Sequence, residues 1–501
     1  MMISNTYLMI FAVAMSGCVL ATPLVTWVAT WVGAIDRPDQ FRRIHKGAVP
    51  RLGGLALALG VAAGTLFTRM YEPLRQSPFG GLGANPHWSL LLAAIVILVV
   101  GFIDDTRSLG PRFKLAGQAL AVLTLYLGGI RIESIDVLGL NLDLGFPSAR
   151  FDVMGFPVVL ALPSLVVTLF WFLGCMNVWN LIDGMDGLAS GVGLLVSGTL
   201  TLVAIHNENF PIAVLAVALA GSLAGFLLYN WHPACIFLGD SGSLLIGLLI
   251  GVIGVEGSME GPSAISILFP ILAMGLPISD TAMAIFRRWV RNLPLSAADR
   301  RHVHHLLIGL GLNPRQAALL LYCFSGFLCG AVMLGVALRN EYLTLIMGIS
   351  GCLVFLLVVT SRRDELANLC DDLQDRLTRG RQERQAAKLA WEAIQRIDLA
   401  TTEMRAYEIV DETARSLGCE LVQITCGCPE SGASWAKEPS AAASSRGGIL
   451  SGPSAVFRLS GGDGLMISVG LPSDSVLAAD IVFRYLQRLS QALVDRLERL
   501  E

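Results

Sequence analysis

Long apolar runs recur through residues 1–360 of this 501-residue chain and constrain its fold more than any other feature. Runs of about 17–25 residues are long enough to cross the hydrocarbon layer of a bilayer as helices. Charged residues make up 15% of the sequence, whereas soluble proteins carry roughly 25%. We therefore expect an all-α polytopic membrane domain that contacts the lipid bilayer, and a soluble globular fold is excluded.

Length and apolarity together predict about eleven transmembrane helices. Their expected extents are 6–33, 52–70, 88–103, 114–130, 157–176, 187–205, 210–229, 242–255, 263–286, 317–338 and 342–360. The first run has no basic segment before it and is long for a signal peptide, so we interpret it as an uncleaved membrane helix.

Basic residues are concentrated in alternate loops between these runs. The basic set includes Arg37, Arg51, Arg107, Arg287 and Arg362. The positive-inside rule places that set in the cytoplasm. It predicts a multi-pass protein of the bacterial inner (cytoplasmic) membrane with a cytoplasmic C-terminus. The formal net charge of −3 gives no indication of nucleic-acid binding.

The sequence changes in character after residue 360, which gives three predicted domains: 1–360, 361–417 and 418–501. Residues 361–417 are charged and favour a helix, with a coiled coil as one interpretation. Residues 418–501 combine strand-like runs with a final amphipathic helix and predict a small cytoplasmic α+β domain, loosely like a GAF domain. No nucleophile or phosphate loop stands out there, so we expect a regulatory or dimerising role and a homodimer.

Two polar clusters lie near the predicted cytoplasmic ends of the first four helices. In the first, His45, Lys46 and Arg51 could hold phosphate groups. In the second, the adjacent carboxylates Asp104 and Asp105 repel each other and therefore favour a cation or a proton. Such a pair is suited to bind Mg²⁺ or to act as a general base. The alternative interpretation is a purely structural pair that accepts hydrogen bonds from backbone groups at the end of a helix.

A third cluster interrupts apolar sequence with amides, carboxylates and glycines. Asn177, Asn180 and Asp183 are spaced by three residues, so a helix would place them on one face. Their oxygens could face a hard cation or a sugar, and Asp186 follows three residues later. We interpret this cluster as functional because a structural turn would rarely use so many polar groups.

The fourth cluster centres on Asp240, in a Gly-Asp-Ser-Gly-Ser run that could hold a metal and a diphosphate together. Its structural alternative is an N-cap. The fifth combines two arginines with three histidines: Arg300, Arg301, His302, His304 and His305. Its spacing lacks the i, i+4 histidine pair of helical zinc sites, so a phosphate site is favoured over zinc.

These five clusters, in this order, resemble the polyprenyl-phosphate N-acetylhexosamine-1-phosphate transferase family (glycosyltransferase 4). The matching runs are D-R-P-D-Q-F-R-R-I-H-K-G-A-V-P-R-L-G-G, G-F-I-D-D, N-V-W-N-L-I-D-G-M-D-G, F-L-G-D-S-G-S and H-V-H-H, all within residues 1–340. The resemblance implies a multi-helix fold with a cytoplasmic-face active site and a groove for lipid.

The resemblance also implies roles for individual residues. Asp240 would bind Mg²⁺, with Mn²⁺ as an alternative, and Asn180 would lie near the metal or the nucleotide-sugar. Asp104 and Asp105 would act as a base or position substrate, with the choice between them open, and Asp183 is a third catalytic candidate. Lys114 and Asn177 are expected to bind substrate, as is Asp186. The histidine motif with Arg301 would contact the diphosphate or the sugar.

The reaction implied is transfer of N-acetylhexosamine-1-phosphate from a UDP-N-acetylhexosamine to undecaprenyl phosphate, with release of UMP, to initiate a cell-surface glycan. Ser108 and Val303 stand where the peptidoglycan branch of the family has lysine and histidine, which favours UDP-N-acetylglucosamine as the donor. The competing interpretations are a polytopic transporter and a membrane sensor or scaffold acting through residues 361–501. Neither accounts for the five ordered clusters.

Overall fold

The computed structural model divides the chain into two compact units, Met1–Leu366 and Ala367–Glu501. The residues it describes are 2–36, 48–70, 88–137, 140–146, 148–153, 156–259, 267–291, 302–360, 363–417, 419, 421–426, 455–460, 465–471, 479–497 and 499–500. The three-way division expected from the sequence stays a prediction.

The first unit is mostly helical because its apolar runs satisfy their backbone groups internally, as a bilayer requires. In the described residues its helices are α1 (Met2–Val32), α2 (Gly53–Met70), α3 (Trp88–Arg107), α4 (Pro111–Leu127), α5 (Leu162–Ile182), α6 (Leu188–His206), α7 (Phe210–Asn230), α8 (Gly239–Met259), α9 (Leu268–Ala273), α10 (Gly275–Val290), α11 (Val303–Gly309), α12 (Pro314–Leu338) and α13 (Glu341–Thr360).

Eight helices of the described residues are long and apolar enough to cross a membrane: α1, α2, α3, α5, α6, α7, α8 and α12. The chain is therefore a multi-pass membrane protein. Two further helices are shorter than these eight. Helix α4 has 17 residues, and in α13 the apolar segment is Glu341–Phe355. The expected total of about eleven spans stays a prediction.

Two predicted spans differ from the helices observed. The run 263–286 contains α9 and α10, which meet at Met274, where Gly275 and Pro277 begin the second helix. Proline is tolerated in a first helical turn, where its missing N–H costs nothing. The run 157–176 begins as a strand, because Phe156–Ala161 pairs with Ser148–Val153 before α5 starts.

Short antiparallel strands connect several helices of this unit. Strand β1 (Ile35–Asp36) pairs with β2 (Val49–Pro50), and β3 (Ser134–Val137) pairs with β4 (Leu140–Asp143). Strand β5 (Ser148–Val153) pairs with β6 (Phe156–Ala161). The β1–β2 ribbon matters for the site because Pro50 O accepts a hydrogen bond from Phe237 N at 2.8 Å, which joins it to the segment leading into α8.

The core of the first unit surrounds α8. This helix packs against α2, α3 and α5, and 94% of its apolar window is buried within the protein. Helix α4 packs between α3 and α5, while α1, α2 and α7 form a second group. The first turn of α8 is therefore enclosed by the ends of several other helices.

The second unit has its own buried core and a small antiparallel sheet. Its helices are α14 (Arg363–Asp398), α15 (Glu403–Ser416) and α16 (Ala479–Leu497), and its strands are β7 (Leu421–Cys426), β8 (Ala455–Ser460) and β9 (Leu465–Leu471). The strand order is β7–β9–β8. Ile397, Ile409 and Leu489 are examples of the buried side chains that join the three helices.

Candidate active site at the start of helix α8

Asp105, at the end of α3, fixes the start of α8. Its carboxylate accepts hydrogen bonds from the backbone N–H groups of Asp240 (2.8 Å) and Ser241 (3.1 Å) and from the Ser241 hydroxyl (2.9 Å). The first N–H groups of a helix have no partner within the helix, and a carboxylate there also interacts favourably with the helix dipole. Asp105 therefore caps α8 from a separate helix.

Glycines allow the neighbouring helices to approach this turn closely. A Cβ atom on Gly54 or on Gly101 would collide with the backbone of Ser241. Gly239 has a φ of +71°, which a residue with a side chain rarely adopts. The Gly-Gly and Gly-Asp-Ser-Gly patterns thus bring α2, α3 and α8 into backbone contact.

Lys114, in the first turn of α4, places its ammonium among three oxygen-bearing side chains. It contacts the Asp240 carboxylate directly. Its Nζ also lies 3.2 Å from Asn180 Oδ1 and 3.5 Å from Asp104 Oδ2. Side chains from α3, α4, α5 and α8 thus meet around one positive charge.

Asn180 forms a second link to Asp240, but Asn177 does not. Asn180 Nδ2 donates to Asp240 Oδ1 and to the Ser243 hydroxyl, both at 3.0 Å. Asn177 Nδ2 instead donates to Gln118 Oε1 at 2.8 Å, where α4 packs against α5. Of the two amides predicted in this cluster, the structure brings Asn180 to the charged group and gives Asn177 a packing contact.

A cavity of about 350 Å³ lies beside the Asp240 cluster. Its lining includes Arg51, Asp183, Asp186, His304 and His305, so five of the predicted site residues border one space. Arg51 Nη2 also lies 4.0 Å from Asp105 Oδ1, and its Nη1 lies 3.6 Å from Asp36 Oδ1.

Asp183 ends α5 and faces the cavity with a carboxylate that accepts no hydrogen bond from the described residues. The pKa of Asp183 is raised to about 7, mainly by burial; the positive charge of Arg51 opposes that rise, and Asp105 and Asp186 add to it. A carboxylate that titrates near neutral pH in a cavity is suited to accept or deliver a proton.

His304 is the most enclosed of the cavity histidines. Its Nε2 is buried and has no hydrogen-bond partner among the described residues. Its pKa is lowered to about 3, mainly by burial and in part by the neighbouring His305, so the ring is neutral near pH 7. Gly184 makes room for it, since a Cβ at that position would lie 2.6 Å from His304 Cε1.

Asp186 borders the cavity but is engaged by neighbouring groups. Its Oδ2 lies 2.7 Å from His232 Nδ1 and accepts from the backbone N–H of Ala234 at 3.1 Å. Arg315 Nε donates to His232 O at 2.9 Å, which joins this pair to α12. Asp186 therefore helps to form one wall of the cavity.

Asp280 was missing from the candidates chosen from the sequence. It lies in α10, is 2% exposed, and accepts from the backbone N–H of Val303 at 2.9 Å while its other oxygen lies 2.8 Å from His302 Nδ1. A lone carboxylate within an apolar segment was the available signal. Ser279 and Thr281 flank it in the sequence, but the sequence does not show that it meets the histidine segment 22 positions later.

Four predicted substrate-binding residues lie outside the described residues: His45, Lys46, Arg300 and Arg301. Their expected roles stay predictions. His302, the N-terminal neighbour of α11, stacks with His304 at a ring-centroid distance of 6.0 Å.

The residues around Lys114 have the chemistry of a site for a hard divalent cation. Asp240 and Asp104 offer carboxylate oxygens, and Asn180 offers an amide oxygen, which are the ligand types Mg²⁺ and Mn²⁺ prefer. The same oxygens already surround a positively charged ammonium. The donor set fits such an ion, although three acidic or histidine side chains do not cluster as a ready-made metal site within the described residues.

Apolar helices with a charged cluster and a cavity at their ends define a multi-pass membrane protein with an enclosed polar site. The model of the glycosyl transferase family 4 matches residues 87–258. The probable undecaprenyl-phosphate N-acetylglucosaminyl 1-phosphate transferase of Bacillus subtilis is 33% identical over 314 residues, which are 62% of this chain and 80% of that protein. The chain belongs to the glycosyl transferase 4 family, as the motif order predicted.

Two further relatives are similar over comparable lengths. The decaprenyl-phosphate N-acetylglucosaminephosphotransferase of Mycolicibacterium smegmatis is 30% identical over 368 residues, covering 68% of this chain and 86% of that protein. The undecaprenyl-phosphate alpha-N-acetylglucosaminyl 1-phosphate transferase of Escherichia coli K12 is 26% identical over 322 residues, covering 63% and 78% respectively.

Proposed function

We propose that this protein transfers N-acetylglucosamine-1-phosphate from UDP-N-acetylglucosamine to undecaprenyl phosphate, releases UMP, and so initiates a cell-surface glycan. The relatives named above act in transfers of this kind. The observation that carries the proposal is the cluster of Lys114, Asp104, Asn180 and Asp240 beside a cavity bordered by Asp183, Arg51 and three histidines. Basic side chains that can bind phosphate groups lie there beside carboxylates that can accept a proton or bind a metal ion.

The reaction is a displacement at phosphorus. A phosphate oxygen of the lipid attacks the β-phosphorus of the UDP-sugar, and a new P–O bond forms while the bond from that phosphorus to the bridging oxygen breaks. UMP leaves with that oxygen and the electron pair, and the product is a polyprenyl diphosphate carrying the sugar. Positioning and charge neutralisation account for most of the catalysis in such transfers.

The geometry favours different roles for the three candidate catalytic carboxylates. Both oxygens of Asp105 are engaged by the first turn of α8, so its part is to hold that turn. Asp104 keeps Oδ2 near Lys114 and is suited to orient the lipid phosphate. Asp183 faces the cavity with a carboxylate that titrates near pH 7, so we assign to it the removal of a proton from the acceptor phosphate.

Lys114 supplies positive charge beside Asp104 and Asp240, and Arg51 supplies it beside Asp36 and Asp105. Lys114 is a compact point charge, and Arg51 offers a planar fork that suits phosphate oxygens. His304 is neutral and can exchange a hydrogen bond through Nε2 with a sugar hydroxyl or a phosphate oxygen. Together these groups would bind a diphosphate without burying a net negative charge.

We further propose that Mg²⁺, with Mn²⁺ as an alternative, is held by Asp240 and Asn180. A bound divalent ion would neutralise charge on the diphosphate and on the departing UMP. Asn180 supports Asp240 by donating to its Oδ1, and Ser243 in turn orients Asn180. These contacts fix the carboxylate before any ligand arrives.

We propose that the site and the C-terminus face the cytoplasm of the bacterial inner membrane. The distribution of Arg and Lys supports this orientation, and Asp104, Asp105 and Lys114 lie at the ends of α3 and α4 that are joined by the segment with Arg107 and Arg112. For the α+β domain expected at 418–501, which belongs to the unit Ala367–Glu501, we propose a regulatory or dimerising role. The separate core of that unit supports independent folding.

The direct test is transfer in vitro with the purified full-length protein. It would be supplied with undecaprenyl phosphate, Mg²⁺ and one of several UDP-N-acetylhexosamines, with UMP and the lipid-linked sugar measured separately. We expect product with UDP-N-acetylglucosamine and none after chelation by EDTA. Folded protein that yields no product with any donor would contradict the proposal.

A further inference from the structure

Asp280 joins α10 to the histidine segment through two hydrogen bonds. Its Oδ1 accepts from the Val303 backbone N–H at 2.9 Å, and its Oδ2 lies 2.8 Å from His302 Nδ1. The carboxylate and the imidazole are both buried, at 2% and 8% exposure. A buried carboxylate needs such donors, because burying it without partners costs several kcal/mol.

We propose that Asp280 is a positioning residue for the reaction, which acts through His302 and the start of α11. This inference rests on the proposed transferase function and names a residue to which neither the motifs nor the relatives assign a role.

The first step in the argument concerns the imidazole of His302. An ionised carboxylate can only accept hydrogen bonds, so Nδ1 carries a proton and donates it to Asp280. Nε2 is then the ring nitrogen left for a second partner. A carboxylate behind a histidine fixes its tautomer and ring orientation in this way in metal and hydrolase sites.

The second step concerns α11. Val303 is the first residue of that helix, and its N–H has no partner within the helix. Asp280 satisfies that N–H from α10, so one carboxylate fixes both the helix start and the preceding histidine. This arrangement anchors the start of α11 to α10 through a buried carboxylate.

The third step connects the anchor to the cavity. His302 stacks on His304 with an angle of 6° between the ring planes, and His304 lies 4.2 Å from His305 by ring centroids. His304 and His305 border the cavity. A shift of His302 would therefore move the two rings that face the substrate space, and a displacement of about 1 Å at such groups can cost 100-fold in rate.

Asp280→Asn separates this positioning role from a packing role. The asparagine has the same shape, and its amide oxygen can still accept from Val303. Its NH₂ group, however, would face the Nδ1–H of His302, so the imidazole must change tautomer or turn. We expect the Asp280→Asn protein to keep its heat stability in detergent and to lose about 10- to 100-fold in kcat/KM. Losses of that size are usual when the removed group orients a functional side chain without touching the substrate.

A double-mutant cycle tests whether Asp280 acts through His302. The full-length variants Asp280→Asn, His302→Gln and the double variant are assayed for transfer from UDP-N-acetylglucosamine to undecaprenyl phosphate. Residues that act as one unit give non-additive effects, so the double variant should match His302→Gln alone. Asp143→Asn, an acid-to-amide change in the exposed β3–β4 hairpin, is the matched control and should retain wild-type kcat/KM.

Two results would overturn the proposal: wild-type kcat/KM in Asp280→Asn, or losses that multiply in the double variant. If Asp280→Asn does not fold, the cycle is run with Asp280→Glu, whose longer side chain displaces the carboxylate, and losses that multiply with those of His302→Gln would overturn the proposal. A wild-type protein without transferase activity would instead reject the proposed function, so the two failures are distinguishable.

Discussion

The ammonium of Lys114, in α4, contacts the carboxylate of Asp240, in the first turn of α8. Asn180 adds its amide oxygen to the same ammonium and its Nδ2 to the same carboxylate. Adjacent carboxylates at helix ends repel one another, and a positive charge between them removes much of that cost. The polar groups of the site are thus held in place before any ligand binds, which is the condition for electrostatic stabilisation of a transition state.

Replacement of Asp240 should remove the dependence of turnover on metal. Asp240→Asn keeps the size of the side chain but halves its oxygen ligands and removes its charge. We expect a loss of roughly 100-fold or more in kcat, which is larger than the loss expected for a residue that only orients a metal ligand. The measurement is UMP release against Mg²⁺ concentration. Full Mg²⁺-dependent turnover in Asp240→Asn, with Asp143→Asn behaving as wild type, would show the metal assignment to be wrong.

Asp104 and Asp105 should separate into a reaction role and a structural role. Asp105→Asn leaves an NH₂ group facing donors of the α8 turn, and an unsatisfied buried group costs about 1–3 kcal/mol. Asp104→Asn can keep the bond from Leu109 N, which is 2.5 Å from Oδ1, through its amide oxygen. We therefore expect a lower heat-denaturation midpoint for Asp105→Asn alone.

Activity measured on the same two proteins completes that comparison. Asp104→Asn should keep wild-type heat stability and lose transfer, because it removes a negative charge beside Lys114. Equal stability of the two variants would remove the capping role from Asp105. Wild-type transfer by Asp104→Asn would remove Asp104 from the reaction.

The long apolar helices and the membership of one family could be predicted from sequence because both depend on local patterns. Hydropathy is read residue by residue, and each of the five motifs is continuous. The break at Met274 and the strand Phe156–Ala161 were missed for a related reason. For Phe156–Ala161, a short apolar run does not distinguish a buried strand from a helix. For the break at Met274, Pro277 is the local sign in the sequence that a new helix begins.

The partners of the site residues could not be predicted, because they come from distant parts of the chain. Asp105 bonds Ser241 across 136 positions, and Lys114 meets Asp240 across 126. Asn177 and Asn180 share a spacing that suggests equal roles, yet neighbouring helices give one a packing contact with Gln118 and the other the carboxylate of Asp240. Such differences arise from helix packing, which spacing alone does not describe.

The pH dependence of transfer should follow the carboxyl group of Asp183. Burial raises its pKa to about 7, with Asp105 and Asp186 adding to the rise and Arg51 opposing it. Only the ionised carboxylate of Asp183 can accept a proton, and this form is lost as the pH falls below the pKa of about 7. We expect kcat/KM to be flat above pH 7 and to fall about tenfold per unit below it.

Asp183→Asn tests the source of that profile. The variant has no carboxyl group at this position, so the remaining activity should be low and should lose the inflection near pH 7. Asp143→Asn should keep both the wild-type rate and the wild-type profile. An unchanged inflection in Asp183→Asn would assign the titration to another group and remove the proton-transfer role from Asp183.

The close approach of α3 to the first turn of α8 depends on Gly101. A Cβ atom there would collide with the backbone of Ser241, whereas a Cβ on Gly174, in α5, meets nothing within 4 Å. Overpacking typically costs about 1–3 kcal/mol, and a clash with backbone cannot be relieved by turning a side chain. Gly101→Ala should therefore lower the heat-denaturation midpoint in detergent.

Gly174→Ala is the matched control, because alanine favours a helix over glycine by up to about 1 kcal/mol and no contact opposes it. Gly101→Ala should also lower transfer, since a shifted α3 carries Asp104 and Asp105 away from Lys114 and Ser241. Equal midpoints and equal rates for the two variants would contradict the close approach. A loss confined to Gly101→Ala would tie the position of both carboxylates to the absence of one side chain.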